Sequence, residues 1–127
     1  MAVWGSGSFE NDDAAIWHSR LSEISPADLQ QIFVGAADNP GYLEAFEASI
    51  TVAAAEVLAS PAPGAASAIL DWRAKNAPAI NPELKALAIR ALDRVRTNSE
   101  VKDLWLEADG LNDWTAAIRE LQQRLKS

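Results

Sequence analysis

Apolar residues recur at intervals of three and four along most of the chain, which is the spacing of a helix that buries one face. The stripe is clearest near the C-terminus, where it consists of Trp114, Ile118, Leu121 and Leu125. No stretch of four or more β-branched or aromatic residues alternates with polar ones, as strands require. The pattern therefore predicts an all-α protein without a substantial sheet.

Helix start and stop signals divide the chain into short segments. Asn11, Ser25, Asn81 and Ser99 each precede an apolar-periodic stretch, and we predict that they are N-caps. Pro26 and Pro82 then occupy first helical positions, where a proline is well tolerated.

Two breaks, "DNPG" at 38–41 and "PAPG" at 61–64, separate the remaining helices, and Gly110 is expected to close the helix that follows Ser99. We predict an irregular bundle of about six or seven short helices. At 127 residues the whole chain, 1–127, fits a single domain.

The third predicted helix, "YLEAFEASITVAAAEVLAS", has an apolar face and a run of small residues. The alanine run 53–55 would let a neighbouring helix approach closely. The residues predicted to point inward on this helix are Leu43, Phe46, Ile50, Ala53 and Val57.

The opening stretch, "WGSGSFENDDAAIW", has a structural interpretation at every position. Gly5 and Gly7 allow a sharp bend, which frees Trp4 and Phe9 to fill apolar gaps on either side of it. The first helix would then start after the Asn11 cap, with acidic side chains in its first turn, where the helix dipole favours negative charge. We predict an N-terminal clasp that locks this helix to the domain.

The same stretch resembles the start of the bacterial domain-of-unknown-function family 4259, DUF4259, which has the pattern W-G-x-G-x-F-x-N-D-x-A. The resemblance implies a small helical single-domain protein, and it assigns no catalytic residue to this chain. The matching residues are Trp4, Gly5, Gly7, Phe9, Asn11, Asp12 and Ala14, and Trp17 stands where an apolar or aromatic residue is usual.

The net charge of −7 comes from the first half of the chain. Residues 1–63 carry nine acids and one base, a net charge of −8, whereas residues 64–127 carry nine acids and ten bases, a net charge of +1. Nucleic acid needs a basic footprint and is excluded as a ligand, whereas a basic protein suits the acidic half. A solubilising coat is the alternative. The candidate partner-binding residues are Asp28, Asp38, Glu44 and Glu47.

The sequence offers few groups for catalysis. There is no cysteine, His18 is the only histidine, and nucleophile-elbow and phosphate-loop motifs are absent. Glu10, Asp12 and Asp13 could supply oxygens to a hard cation, but their spacing lacks the order of a calcium loop. We expect no metal, no cofactor and no catalytic residue.

Arg94 is predicted to lie on a solvated helix face.

These observations favour a non-enzymatic protein-interaction module, such as a toxin-neutralising protein of the immunity type, over an enzyme. A hydrolase that uses carboxylates or a metal is one alternative, and a structural or oligomerising module is another. No apolar run is long enough to span a bilayer, and the residues before the first helix lack the pattern of a signal peptide, so we expect none. We therefore expect a cytoplasmic protein without a membrane partner, and its oligomeric state stays open.

Overall fold

The computed structural model of the protein describes residues 11–126. Within this range the chain forms seven α-helices and no strand, in one compact domain, which confirms the all-α prediction. No helix in the described range is long and apolar enough to cross a bilayer. The helices are α1 (Asp12–Ser19), α2 (Pro26–Ala37), α3 (Ala45–Leu58), α4 (Ser67–Lys75), α5 (Pro82–Thr97), α6 (Glu100–Glu107) and α7 (Leu111–Leu125), with 3-10 turns at Leu21–Glu23 and Ala77–Ala79.

Side-chain caps fix the starts of four helices at the residues that the sequence indicated. Asn11, Ser25, Asn81 and Ser99 each accept a hydrogen bond from the backbone N–H three residues ahead, at 2.9–3.2 Å. Each bond satisfies a donor that would otherwise have no partner inside its helix. These caps are local interactions, which is why the sequence predicts them correctly.

Helix α3 forms the centre of the bundle. Every residue from Ala48 to Leu58 is buried except Glu56, and the helix packs against α1, α2, α4, α5, α6 and α7. The alanine run 53–55 has no solvent exposure, and its small side chains allow the surrounding helices to come close, as predicted. A helix that is apolar on all sides is stable only inside such a shell.

The remaining core comes from single stripes on the surrounding helices. The α7 stripe predicted from the sequence is buried throughout, with Trp114 and Ile118 only 3% and 2% exposed. Trp72 on α4 is also buried, and Trp105 on α6 is partly buried against the core. Burial of apolar surface of this kind is the main force that holds the helices together.

One predicted core position is wrong. The helical spacing predicts that Phe46 lies on the inward face of the third helix, but its side chain is 61% exposed. Helix α3 begins only at Ala45, and Leu43 is buried in the preceding loop, where it pairs with Ser99. Because Leu43 lies outside the helix, its burial does not set the helical face, and Phe46 turns outward.

The end of α6 also differs in detail from the prediction. The residue in the left-handed region is Asp109, with φ of 61°, whereas Gly110 has φ of −116°. The N–H of Gly110 donates to the carbonyl of Trp105 at 2.9 Å, and that of Asp109 to Leu106 at 3.2 Å, which closes the helix in a Schellman arrangement. Glycine is needed at 110 for another reason, since a Cβ there would lie 2.6 Å from Cε3 of Trp105.

Two arginines hold the C-terminal end of α3, where buried backbone carbonyls lack helical partners. Nη1 of Arg73 donates to the carbonyls of three successive residues at 3.1, 2.7 and 2.7 Å; these residues are Val57, Leu58 and Ala59. Burial lowers the pKa of Arg73 from its ordinary value. Arg124 on α7 binds both carboxylate oxygens of Glu56, with Nη2 at 2.9 Å from Oε1, and it also donates to the carbonyl of Ser60.

Candidate functional site

The loop at residues 38–44, between α2 and α3, and the first turn of α3 carry three of the four acids predicted to bind a partner. Asp38 is the C-terminal cap residue of α2, Glu44 is the N-cap residue of α3, and Glu47 lies in the first turn of α3. All three side chains are exposed. The structure thus brings three of the four predicted residues to one end of the α2–α3 pair.

Arg94 on α5 holds this loop in place. Its Nη2 atom donates to the carbonyl of Asn39 at 2.8 Å and also to the carbonyl of Gly41. The side chain of Asn39 accepts a hydrogen bond from the N–H of Gly41 at 2.8 Å, which tightens the turn. The prediction that Arg94 lies on a solvated face is therefore wrong, because its guanidinium donates hydrogen bonds to the carbonyls of the loop.

Helix α6 lies alongside the same loop. The N–H of Leu43 donates to the carbonyl of Asn98 at 3.2 Å, and the N–H of Glu100 donates to the carbonyl of Leu43 at 2.8 Å. The carboxylate of Glu100 then accepts a hydrogen bond from the N–H of Ala45 at 2.8 Å. Glu100 thus satisfies a free donor at the start of α3, so that the starts of α3 and α6 lie side by side.

Tyr42 joins the loop to the next carboxylate of α6. Its hydroxyl donates to Oδ2 of Asp103 at 2.5 Å, while 48% of the side chain stays exposed. The hydrogen bond to Asp103 is the main reason why the pKa of Tyr42 is raised to about 12. Partial desolvation and the negative charges of Asp103, Glu100 and Glu107 raise it further.

Five carboxylates thus lie on or beside the α2–α3 loop, and we name this region the acidic corner: Asp38, Glu44, Glu47, Glu100 and Asp103. It combines residues from the α2–α3 loop with the first turn of α6. No lysine, arginine or histidine occurs in the sequence between Arg20 and Arg73, so neither α2 nor α3 contributes a positive charge to it. Arg94 beneath the loop and Lys102, between Glu100 and Asp103 on α6, add two cations, so the five carboxylates leave the corner with a negative balance.

Asp28, the fourth predicted partner-binding residue, lies apart from the acidic corner. It is at the start of α2, ten residues before Asp38, which corresponds to about 15 Å along a helix. Its carboxylate accepts a hydrogen bond from the N–H of Ser25 at 2.8 Å, and the hydroxyl of Ser25 accepts one from the N–H of Asp28. The hydrogen bond from the Ser25 N–H, and after it the Ser25 hydroxyl, lowers the pKa of the Asp28 carboxyl, and the two reciprocal bonds form a capping box. Its role here is to start the helix.

The predicted N-terminal clasp is only partly within the described range. Asn11 caps α1, Asp12 lies in its first turn, Ala14 is fully buried and Trp17 packs against the core. The residues that would make the bend and fill the gaps lie outside the described residues, so the clasp stays a prediction. They are Trp4, Gly5, Gly7 and Phe9.

A second surface feature is a cleft of about 440 Å³ between the Leu21–Glu23 turn and α4. Its apolar wall is Trp72, whose Nε1 donates to the carbonyl of Ile24 at 2.7 Å. Glu23, Asp71 and Lys75 surround the opening. Among residues 11–126, no three histidine, cysteine or acidic side chains are grouped so that they could hold a metal ion.

Sequence reasoning did not find Glu100, Asp103 and Tyr42 as members of the site. Residues 64–127 together have a net charge of +1, and this sum does not reveal that the start of α6 within them is acidic. The one local signal was the Ser99 cap, because acids in the first turn after a cap are exposed and favoured by the helix dipole. The contacts with the loop join residues 55 and 61 positions apart, and no local pattern reports them.

Comparison with known proteins provides the family and no closer relative. No curated protein and no solved structure matches the chain significantly. A family model does match, over residues 2–117, and this range includes the opening motif, α1 to α6 and the acidic corner. The model is described as "Domain of unknown function (DUF4259)", and the chain belongs to this family, as its opening residues indicated.

Proposed function

We propose that this protein is a non-enzymatic interaction module that binds a basic protein through the acidic corner. A toxin-neutralising protein of the immunity type, acting in the cytoplasm, is the form of this function that we favour. Such a protein would cover the basic cleft of an enzyme that acts on nucleic acid. The absence of cysteine suits a reducing compartment.

The observation that carries the proposal is the position of five carboxylates around the α2–α3 loop, four of them exposed and Glu100 half-buried. Among residues 11–126, ion pairs involve Asp93, Glu56 and Glu120, and none includes a carboxylate of the corner. Like charges held together without ion-pair partners destabilise a free protein slightly, and a basic partner would relieve that repulsion. Hydrogen bonds within the fold account for Glu100 and Asp103, whereas Asp38, Glu44 and Glu47 are better explained by an interaction with a partner.

The positions of these carboxylates favour binding over catalysis. Glu100 and Asp103 are held by hydrogen bonds from the Ala45 N–H and the Tyr42 hydroxyl, so they act as fixed negative charges. Asp38, Glu44 and Glu47 lie on an exposed edge, where a charged partner can approach freely. A hydrolase would place its carboxylates around an enclosed substrate, and a structural module has no need of a charged corner.

The proposal is tested with charge reversals in the full chain. The tagged protein is used to capture partners from a lysate of its native host, and the affinity of the captured protein is measured for each variant. Glu44→Lys and Glu47→Lys should each weaken binding about tenfold or more, because each replaces an attraction by a repulsion.

The matched control is Glu83→Lys. Glu83 lies in the first turn of α5, is exposed like Glu47, and adjoins Pro26 at the opposite end of α2 from the corner. This variant has the same change in net charge and should bind normally. Equal affinities for all three variants would show that the acidity is only a solubilising coat.

A further inference from the structure

A shallow groove of about 230 Å³ runs between α2 and α3 and borders the acidic corner. We name it the α2–α3 groove, and it is defined by Ile32 and Gly35 on α2 and by Phe46, Glu47 and Ile50 on α3. Phe46 stands at its edge with 61% of its side chain exposed, although a phenylalanine is normally buried. Glu47 belongs to both surfaces, so the groove and the corner are continuous.

Gly35 gives the groove its open floor. It lies inside α2, where glycine is less favourable than alanine, because it has greater freedom in the unfolded chain. A Cβ at this position would meet no atom of the described residues within 4 Å. Packing among residues 11–126 therefore does not require a glycine here. The open backbone at Gly35 gives room to a group from outside.

The charges around the groove indicate what kind of group this is. Glu47 lines the groove, Glu44 lies one turn before it, and Asp38 ends the facing helix. Helices α2 and α3 contain no lysine or arginine. An apolar floor with an acidic edge is complementary to an apolar side chain that has basic residues beside it.

We propose that the α2–α3 groove seats one apolar side chain from an amphipathic, basic helix of the partner, with the lysines or arginines of that helix on the acidic corner. The groove is smaller than the roughly 300–1,000 Å³ of small-molecule pockets, which fits a single side chain. This proposal rests on the proposed function and adds the chemistry of the segment that binds. A second copy of this chain is the competing occupant.

The test uses two synthetic peptides of leucine and lysine with identical composition. In the first, leucines are spaced by three and four residues so that a helix has one apolar face, and in the second they are scattered. Binding to the isotope-labelled full chain is followed by NMR. The first peptide should bind about tenfold more tightly than the second and should shift the amide signals of Gly35 and Phe46.

The decisive variant is Gly35→Ala. The added Cβ meets no atom of the described residues, so the variant should have a higher melting temperature. Because the same Cβ fills the floor of the groove, binding of the first peptide should become about tenfold weaker. Binding of the scattered peptide should not change. Phe46→Ala should also weaken the first peptide, whereas Ile16→Ala on α1, which is 60% exposed, should not.

The outcomes separate this proposal from the proposed function. The groove proposal is overturned, and the acidic corner survives, if three results occur together. These are equal affinities of the two peptides, no change in affinity in Gly35→Ala, and weaker binding of both peptides in Glu47→Lys. If Glu47→Lys changes neither peptide, the acidic corner itself fails. Sedimentation that shows a dimer, lost in Gly35→Ala, would make a second copy the occupant and would equally overturn the proposal.

Discussion

The hydrogen bond between Tyr42 and Asp103 makes the acidic corner measurable without a partner. Tyr42 is the only tyrosine in the chain, so tyrosinate absorbance follows this residue alone. The bond from its hydroxyl to Asp103 raises its pKa to about 12, compared with about 10 for a free tyrosine. Because solvent screens this exposed group, we expect no more than about half of the protein to be ionised at Tyr42 at pH 11, against about 90% for an unperturbed phenol.

Asp103→Ala removes both the acceptor and the nearest negative charge, so the midpoint should fall towards 10. Because the group is exposed, solvent screening reduces the shift, and we expect a difference of at least about one pKa unit. The matched control Asp113→Ala, at an exposed acid in the first turn of α7, should titrate like the wild type. The raised pKa also means that Tyr42 contributes stability below pH 10, which is lost as the pH rises towards 12.

The titration is followed together with circular dichroism, so that only the folded protein is evaluated. If Tyr42 ionises near pH 10 in the wild type and Asp103→Ala leaves the midpoint unchanged, α6 does not lie against the α2–α3 loop. The acidic corner would then lose two of its five carboxylates.

Two further predictions concern stability, measured by thermal and chemical unfolding. Arg73→Ala removes charge-assisted hydrogen bonds to three carbonyls and should destabilise the protein by about 1.5–3 kcal/mol. The control Arg90→Ala, at an exposed arginine on α5, should destabilise it by less than about 0.5 kcal/mol. Equal effects of the two substitutions would contradict the role of Arg73. Gly110→Ala places a Cβ 2.6 Å from the Trp105 ring and should destabilise by about 1–3 kcal/mol, while Gly35→Ala should stabilise by up to about 1 kcal/mol. Effects of the same sign at both glycines would refute this account of their surroundings.

The sequence was sufficient for features that depend on neighbours along the chain. The caps at Asn11, Ser25, Asn81 and Ser99 each join atoms three residues apart, and the α7 stripe depends only on helical periodicity. The opening motif also identified the family, although most of it lies outside the described residues.

Features that depend on long-range packing were not predictable in this way. Phe46 satisfied the helical spacing as well as Ile50 did, and only the true start of α3 shows that it faces outward. Arg94 looked like a solvated cation because the loop that it binds lies 55 residues away in sequence. Glu100 and Asp103 join the site because the starts of α3 and α6 pack together, which the charges of the two sequence halves do not reveal.

The central claim is that the acidic corner attracts a basic partner, and the association rate of the captured partner tests it most directly. The rate is measured at about 0.01 M and 0.1 M salt, where the screening length falls from about 30 Å to about 10 Å.

For the wild type and Glu83→Lys, the association rate should fall at least about tenfold from the lower to the higher salt concentration. The double variant Glu44→Lys, Glu47→Lys should associate slowly at both concentrations. Equal rates for all three proteins at both salt concentrations would contradict the claim.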